Sequence, residues 1–146
     1  MGRVADVLAK KGNQVYTIER TATVFDAVKR MVEVNTGSLL VTQEGEVCGI
    51  VSERDYLRNI VLEGRTSKTT QVREIMTTNV ICVDSNYSIE ECMAIMTEKR
   101  IRHLPVVEGR KLVGLVSIGD IVKQLSSDQK HEIQYLTDYI TGKYPA

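Results

Sequence analysis

The chain has no tryptophan, a single phenylalanine and only two prolines in 146 residues. So few rings leave little with which to stack bases, which argues against a surface for single-stranded nucleic acid. There is no excess of charge either, because 19 lysines and arginines balance 19 aspartates and glutamates. That balance removes the electrostatic footprint of a nucleic-acid or acidic-membrane binder. No segment nears the roughly 20 apolar residues that cross a bilayer. The start, Met1-Gly2-Arg3-Val4-Ala5-Asp6, lacks the apolar core of a signal peptide and the Ser or Thr of a myristoylation site, so a cytoplasmic address is expected. The three cysteines, Cys48, Cys82 and Cys92, are odd in number and widely spaced. They are expected to be buried reduced thiols, and no spacing suits a metal. With two histidines, no Walker loop and no Gly-x-Ser-x-Gly elbow, no nucleophile–base–orienter set can be assembled, and an enzyme is not expected.

What the sequence does contain is a repeat. Gly49-Ile50-Val51-Ser52-Glu53-Arg54-Asp55 returns as Gly114-Leu115-Val116-Ser117-Ile118-Gly119-Asp120, 65 positions on. The same spacing pairs Val15, Met31, Leu39 and Val41 with Val80, Met96, Leu104 and Val106. Upstream, Val4-Ala5-Asp6-Val7-Leu8 resembles Val72-Arg73-Glu74-Ile75-Met76 at a slightly different spacing. Repetition on this scale fixes the architecture before any single motif does.

Each copy reads strand, helix, strand, strand, helix. In the first, Val15–Ile18 is extended and Thr23-Val24-Phe25-Asp26 starts a helix whose buried face is Val24, Ala27, Val28, Met31 and Val32. Two strands follow around a turn at Glu44-Gly45, and a helix after Ser52 buries Tyr56, Leu57, Ile60 and Val61. The second copy has a strand at Val80–Val83 and a helix from Ser88 with Ile89, Cys92, Met93 and Met96 inward. Its hairpin strands surround Pro105, which belongs at a strand start or an edge, and a last helix buries Ile121, Val122 and Leu125. The organisation expected is repeat one over 1–62, a linker over 63–70, repeat two over 71–126 and a tail over 127–146. In the tail, Ile133, Leu136 and Ile140 share one helical face. Because about 60 residues bury too little surface alone, the repeats are expected to pack together about a pseudo-twofold axis as an α/β (α+β) domain.

Each apolar run ending in Ser-x-x-Asp reads as a buried strand feeding a helix, with the serine at the N-cap and the aspartate at the third helical position. Such a corner brings a hydroxyl, a carboxylate and orphan backbone N–H groups into one small space. A carboxylate there can accept both hydroxyls of a ribose. Ser52/Asp55 and Ser117/Asp120 can also be plain capping boxes, as Thr23/Asp26 and Ser88/Glu91 are, and both roles can hold together.

The repeated Gly-apolar-apolar-Ser-x-x-Asp corner, with Arg102-His103-Leu104-Pro105-Val106 before its second copy, resembles the tandem cystathionine-β-synthase (CBS) domain pair over Arg3 to Leu125. The likeness is to small stand-alone pairs with a C-terminal helix. It implies a regulatory homodimer without catalysis that binds an adenosine compound in clefts between the repeats. AMP comes first, with ADP, ATP, NAD or S-adenosylmethionine as alternatives. It further implies ribose binding by Asp55, Asp120, Ser52 and Ser117, and phosphate binding by Arg102 and His103. Copy one has Thr36-Gly37-Ser38 at those last positions, where Gly37 admits close backbone approach and Ser38 can donate a hydrogen bond. Arg54 is a further phosphate candidate. By the same analogy Val15, Tyr16, Thr36, Ile50, Asn79, Val80, Ile81 and Leu115 wall the adenine. A structural dimerisation module with vestigial pockets is the rival reading. The regulated partner is another chain that nothing in this sequence identifies.

Overall fold

Residues 2–126, with Thr137 and Ile140, are described by the computed structural model. They fall into two units, Val15–Val80 and Met1–Gln14 with Ile81–Ala146.

The first unit opens with β1 (Thr17–Glu19) and α2 (Val24–Val34), α1 (Val4–Lys11) belonging to the other unit. It continues with β2 (Ser38–Gln43), β3 (Glu46–Ser52), the short α3 (Glu53–Tyr56), a π-helical turn Leu57–Val61 and a 3-10 turn Val72–Glu74. β1 lies parallel to β2, and β3 closes the three-stranded sheet antiparallel on the other side of β2. At the β2–β3 turn Glu44 and Gly45 both take positive φ, 54° and 82°, as a two-residue hairpin requires. α2 starts where Thr23 Oγ1 accepts the Asp26 N–H at 3.1 Å. Its buried stripe is Val24, Ala27 and Met31, packed with Leu39, Val41, Val51, Ile60, Val72 and Ile75.

Two expectations for this unit are corrected. Val32 is 75% exposed, because one step beyond Met31 turns it about 100° off the buried stripe. Leu57 and Val61 are 53% and 51% exposed, not buried. After Tyr56 the helix widens so that the Leu62 N–H reaches back five residues to Leu57 O at 3.1 Å. The wider turn breaks the 3.6-residue stripe and leaves Ile60 as the buried residue of that turn.

The second unit holds α1 (Val4–Lys11), α4 (Ile89–Lys99), the antiparallel pair β4 (His103–Glu108) and β5 (Lys111–Ser117), and α5 (Ile118–Ser126). The strand expected over Val80–Val83 is absent, and one parallel bridge, Val83 to Val106, stands in its place. The cause is Pro105. At the equivalent position in the first unit, the Leu40 N–H donates to Tyr16 O and helps tie the β1 side to β2. Proline has no N–H to give, so the matching segment is held by the Val83 N–H to Pro105 O and the Val107 N–H to Val83 O. Pro105 thus lies on an edge strand, the third residue of β4.

The upstream elements complete the two cores. Arg3 bridges Ser88, the N-cap of α4, and Gln71 bridges Thr23, the N-cap of α2. Val4, Val7 and Leu8 join the core of β4, β5, α4 and α5, while Val72 and Ile75 join that of β2, β3 and α2. The segment preceding each copy therefore packs into the unit formed by the other copy. Of the C-terminal residues, Ile133 and Leu136 lie outside the described residues, and Ile140 packs half-buried against the second unit's core.

Cys48, Cys82 and Cys92 are all free thiols. Cys92 is fully buried, and burial, with Glu91 adding to it, pushes its pKa up to about 11. A raised pKa means that folding holds the thiol proton, so this contribution is intact below pH 9 and is lost as the pH climbs toward 11. Denaturant titrations at pH 8 and pH 11 are expected to show a loss of about 2 kcal/mol that Cys92→Ala does not show. Equal pH dependence in the two proteins refutes it.

Candidate functional site: two acidic strand-to-helix corners

Both corners form the same local structure from the same residues. At the end of β3, the Ser52 N–H and Ser52 Oγ both donate to Asp55 Oδ2, at 2.9 and 3.0 Å, and the Asp55 N–H returns a bond to Ser52 Oγ at 3.2 Å. At the end of β5, the Ser117 N–H donates to Asp120 Oδ2 at 2.8 Å and the Asp120 N–H to Ser117 Oγ at 3.1 Å. Capping is therefore real in both, and it loads one carboxylate oxygen, Oδ2, so the cap itself does not require Oδ1. Each corner is held from behind by a close approach at its glycine. A Cβ on Gly49 meets Met76 Sδ and Thr77 O, and one on Gly114 meets the Leu8 methyls.

The structure brings most of the expected residues to these corners. In the first unit Ser38 pairs with Ser52 across the hairpin, Gly37 O accepts the Glu53 N–H at 3.0 Å, and Thr36 Oγ1 donates to Ser38 O at 3.2 Å. Ile50 lies two residues before Ser52 and is bonded in both directions to Thr77 at 2.9 Å. Arg54 is exposed on the first turn of α3. In the second unit His103 pairs with Ser117, and Arg102 O accepts the Ile118 N–H at 2.9 Å. The hairpin that carries Gly37 and Ser38 in one unit thus carries Arg102 and His103 in the other.

The expected adenine walls are more scattered. Tyr16 packs half-buried against the first core beneath the Arg30 guanidinium, 5.7 Å from the ring centroid. Val15 and Val80 are half-buried and Asn79 is exposed, at the two ends of that unit. Ile81 packs on the second core, and Leu115 lies two residues before Ser117.

The sequence reading missed Lys11. Its Nζ donates to Asp120 Oδ2 at 2.7 Å and to Leu115 O at 2.9 Å. Burial raises the Asp120 pKa, but the hydrogen bonds from Lys11 and Ser117 outweigh it and hold the carboxyl below its usual value. Asp120 is therefore ionised at neutral pH. His103 goes the other way from a cation. Desolvation of its ring, reinforced by Lys11 and opposed by Asp120, keeps its pKa below the usual imidazole value, although much of the residue is exposed. At pH 7 it offers a ring N–H and no charge. One signal could have found Lys11: it follows Val4 and Val7 on the stripe that α1 buries, and a lysine on a buried stripe needs a partner.

Among the described residues no cluster of three or more His, Cys, Asp or Glu could hold a metal ion, and no helix is long and apolar enough to cross a membrane.

Comparison with known proteins agrees with this geometry. The family model for the CBS domain matches residues 4–62 and 72–127. The mitochondrial CBS domain-containing protein CBSX3 of Arabidopsis thaliana is 40% identical over 150 residues, spanning 97% of this chain and 73% of its own length. The CBS domain-containing protein YhcV of Bacillus subtilis is 32% identical over 88% of this chain and 89% of its own length. Among solved structures, a candidate signal-transduction protein with CBS domains from Burkholderia ambifaria superposes with a TM-score of 0.77 and 50% identity, covering 87% of this chain and 96% of that one. A hexameric CBS-CP12 protein from bloom-forming cyanobacteria superposes at 0.70 with 29% identity, over 92% of this chain and 79% of its own. CBS pairs of this stand-alone kind are regulatory, ligand-binding proteins. With one domain matched on each side of residues 63–71 and a Ser–Asp corner in each, this chain belongs to the CBS-domain family as a tandem pair.

Proposed function

We propose that the chain is an adenosine-nucleotide sensor that regulates another protein and has no reaction of its own. Asp55 and Asp120, with Ser52 and Ser117, receive the ribose, Arg102 and His103 meet phosphate, and AMP is the first candidate ahead of ADP, ATP and NAD. The observation that carries this reading is the recurrence of one corner in both units with capping bonds concentrated on a single carboxylate oxygen. A pure cap does not call for a glycine-backed strand end with Arg102 and His103 beside it in one copy and Gly37 and Ser38 in the other.

The test is thermal unfolding with AMP, ATP, NAD and S-adenosylmethionine. A ligand at 100 times its dissociation constant adds about 2.7 kcal/mol to stability, a shift of several degrees for a chain of this size. No shift with any of the four sinks the reading. Asp55→Ala and Asp120→Ala are each expected to weaken binding roughly 10- to 100-fold at their own corner, the scale of one charge-assisted hydrogen-bonding group. Titration calorimetry that finds unchanged affinity leaves the carboxylates as helix caps alone.

Self-association belongs to the same reading. Phe25 and Val32 on α2, with Leu57, Val61 and Leu62 at the π turn, are between 41% and 80% exposed, more apolar surface than a lone unit gains from showing. A second copy of the chain is the partner proposed for it, in keeping with the hexameric relative. Leu62→Glu is expected to lower the mass seen by light scattering at micromolar concentration, and an unaltered mass counts against this surface.

A further inference from the structure

The two corners differ in one respect that the repeat does not foreshadow. In the first unit the backbone of Ile50 is bonded by Thr77. In the second, Leu115 stands at the position of Ile50, and its carbonyl is bonded by the Lys11 ammonium, which also grips Asp120. α1 runs on as a helix through Lys11, whereas its counterpart in the first unit is a three-residue 3-10 turn that gives way to extended chain at Thr77. A side-chain donor thus takes over from a backbone donor and sets a positive charge on the carboxylate meant for a sugar. At the spacing that aligns Arg3 with Gln71, the residue matching Lys11 is the uncharged Asn79.

We propose that Lys11 is a latch that makes the second corner selective for ribosides carrying phosphate. The inference rests on the adenosine-nucleotide reading above. The Lys11 and Asp120 side chains are 32% and 14% exposed, so their contact is partly shielded from water. The hollow beside it, lined by Val7, Lys10, Lys11, Asp120, Lys123 and Gln124, measures about 50 Å³ and opens to solvent. Asp120 Oδ2 already accepts from both Lys11 and Ser117, so a ribose that takes both carboxylate oxygens must displace the ammonium. A neutral nucleoside replaces a charge-assisted bond with bonds from neutral hydroxyls and leaves the ammonium without its carboxylate, which is unfavourable. A nucleotide brings a phosphate to which the displaced ammonium can turn. Lys10, Lys123 and Arg102 add positive charge around that phosphate, and His103 adds a ring donor. The first corner has no such latch, so its discrimination between nucleoside and nucleotide is weaker.

The experiment is titration calorimetry of AMP and adenosine against the full chain carrying Asp55→Ala, so that the second corner alone reports. With Lys11 present, AMP is expected to bind on the order of 100-fold tighter than adenosine. Lys11→Met is expected to tighten adenosine and weaken AMP, cutting that ratio about tenfold, while Lys11→Arg keeps it. If Lys11→Met does not fold, as judged by circular dichroism, Lys11→Gln, which retains a donor for Leu115 O without the charge, must give the same collapse. A ratio unmoved by removal of the charge overturns the latch, as does an equal tightening of both ligands. One equivalent bound by the wild-type chain and none by Asp55→Ala shows that the second corner takes no ligand and also overturns it. Absence of binding to the wild-type chain overturns the underlying reading instead.

Discussion

A chain ending at residue 66 is expected to show no cooperative unfolding transition, whereas residues 15–80 are expected to retain one. The first core is closed by residues that the shorter fragment lacks: Val72 is fully buried, Ile75 is 6% exposed, and Met76 packs beside them. Burying side chains of this kind contributes roughly 1.5–3 kcal/mol each. The loss approaches the whole stability of a unit this small, given about 0.05–0.15 kcal/mol per residue. The cut also removes the Val24 N–H to Thr70 O, Val72 N–H to Ala22 O and Arg73 N–H to Arg20 O bonds, together with the Ile50–Thr77 pair. Residues 1–14 do not compensate, because they belong to the core of the other unit. Circular dichroism melts of the two fragments decide the matter. Equal, cooperative melts mean that residues 67–80 are a mere connector.

The difference between those fragments also marks how far the sequence could be read. The 65-residue spacing carried the N-caps at Thr23, Ser52, Ser88 and Ser117, the hairpin turn at Glu44-Gly45 and both acidic corners, because each depends on residues a few positions apart. What escaped depends on distant neighbours. The missing strand at Val80–Val83 follows from an N–H that Pro105 does not have, more than twenty residues further along. The exposure of Leu57 and Val61 follows from a π turn whose five-residue reach breaks the helical period on which the expectation relied. Lys11 and Asp120 are 109 residues apart, and the upstream element that carries Lys11 recurs at a different spacing from the rest of the repeat. Periodicity puts Lys11 on the stripe that α1 buries and so calls for a partner, but nothing in it names Asp120. The motif glycines, Gly49 and Gly114, were visible as letters, but what they are for was not.

Their purpose supports the other large effect. Gly49→Val is expected to cost about 3 kcal/mol, the upper end for overpacking a closed core, and Gly114→Val roughly half that. A Cβ at Gly49 falls 2.7 Å from Met76 Sδ and 2.9 Å from Thr77 O, and the second of these is backbone that cannot swing aside. At Gly114 the new carbon falls 2.8 and 3.0 Å from the two Leu8 methyls, the far end of a side chain that can change rotamer. Two double variants separate these cases. Leu8→Ala is expected to recover most of the cost of Gly114→Ala, whereas Met76→Ala leaves Gly49→Ala destabilised because the Thr77 carbonyl remains. Urea denaturation measures both, and equal recovery at the two sites refutes the distinction. The consequence reaches the ligand site. Thr77 is bonded to Ile50, two residues ahead of Ser52, so backing Thr77 away displaces the strand end that aims Asp55. Gly49→Ala is therefore expected to weaken nucleotide binding at the first corner even at temperatures where the protein remains folded, and to leave the second corner unchanged.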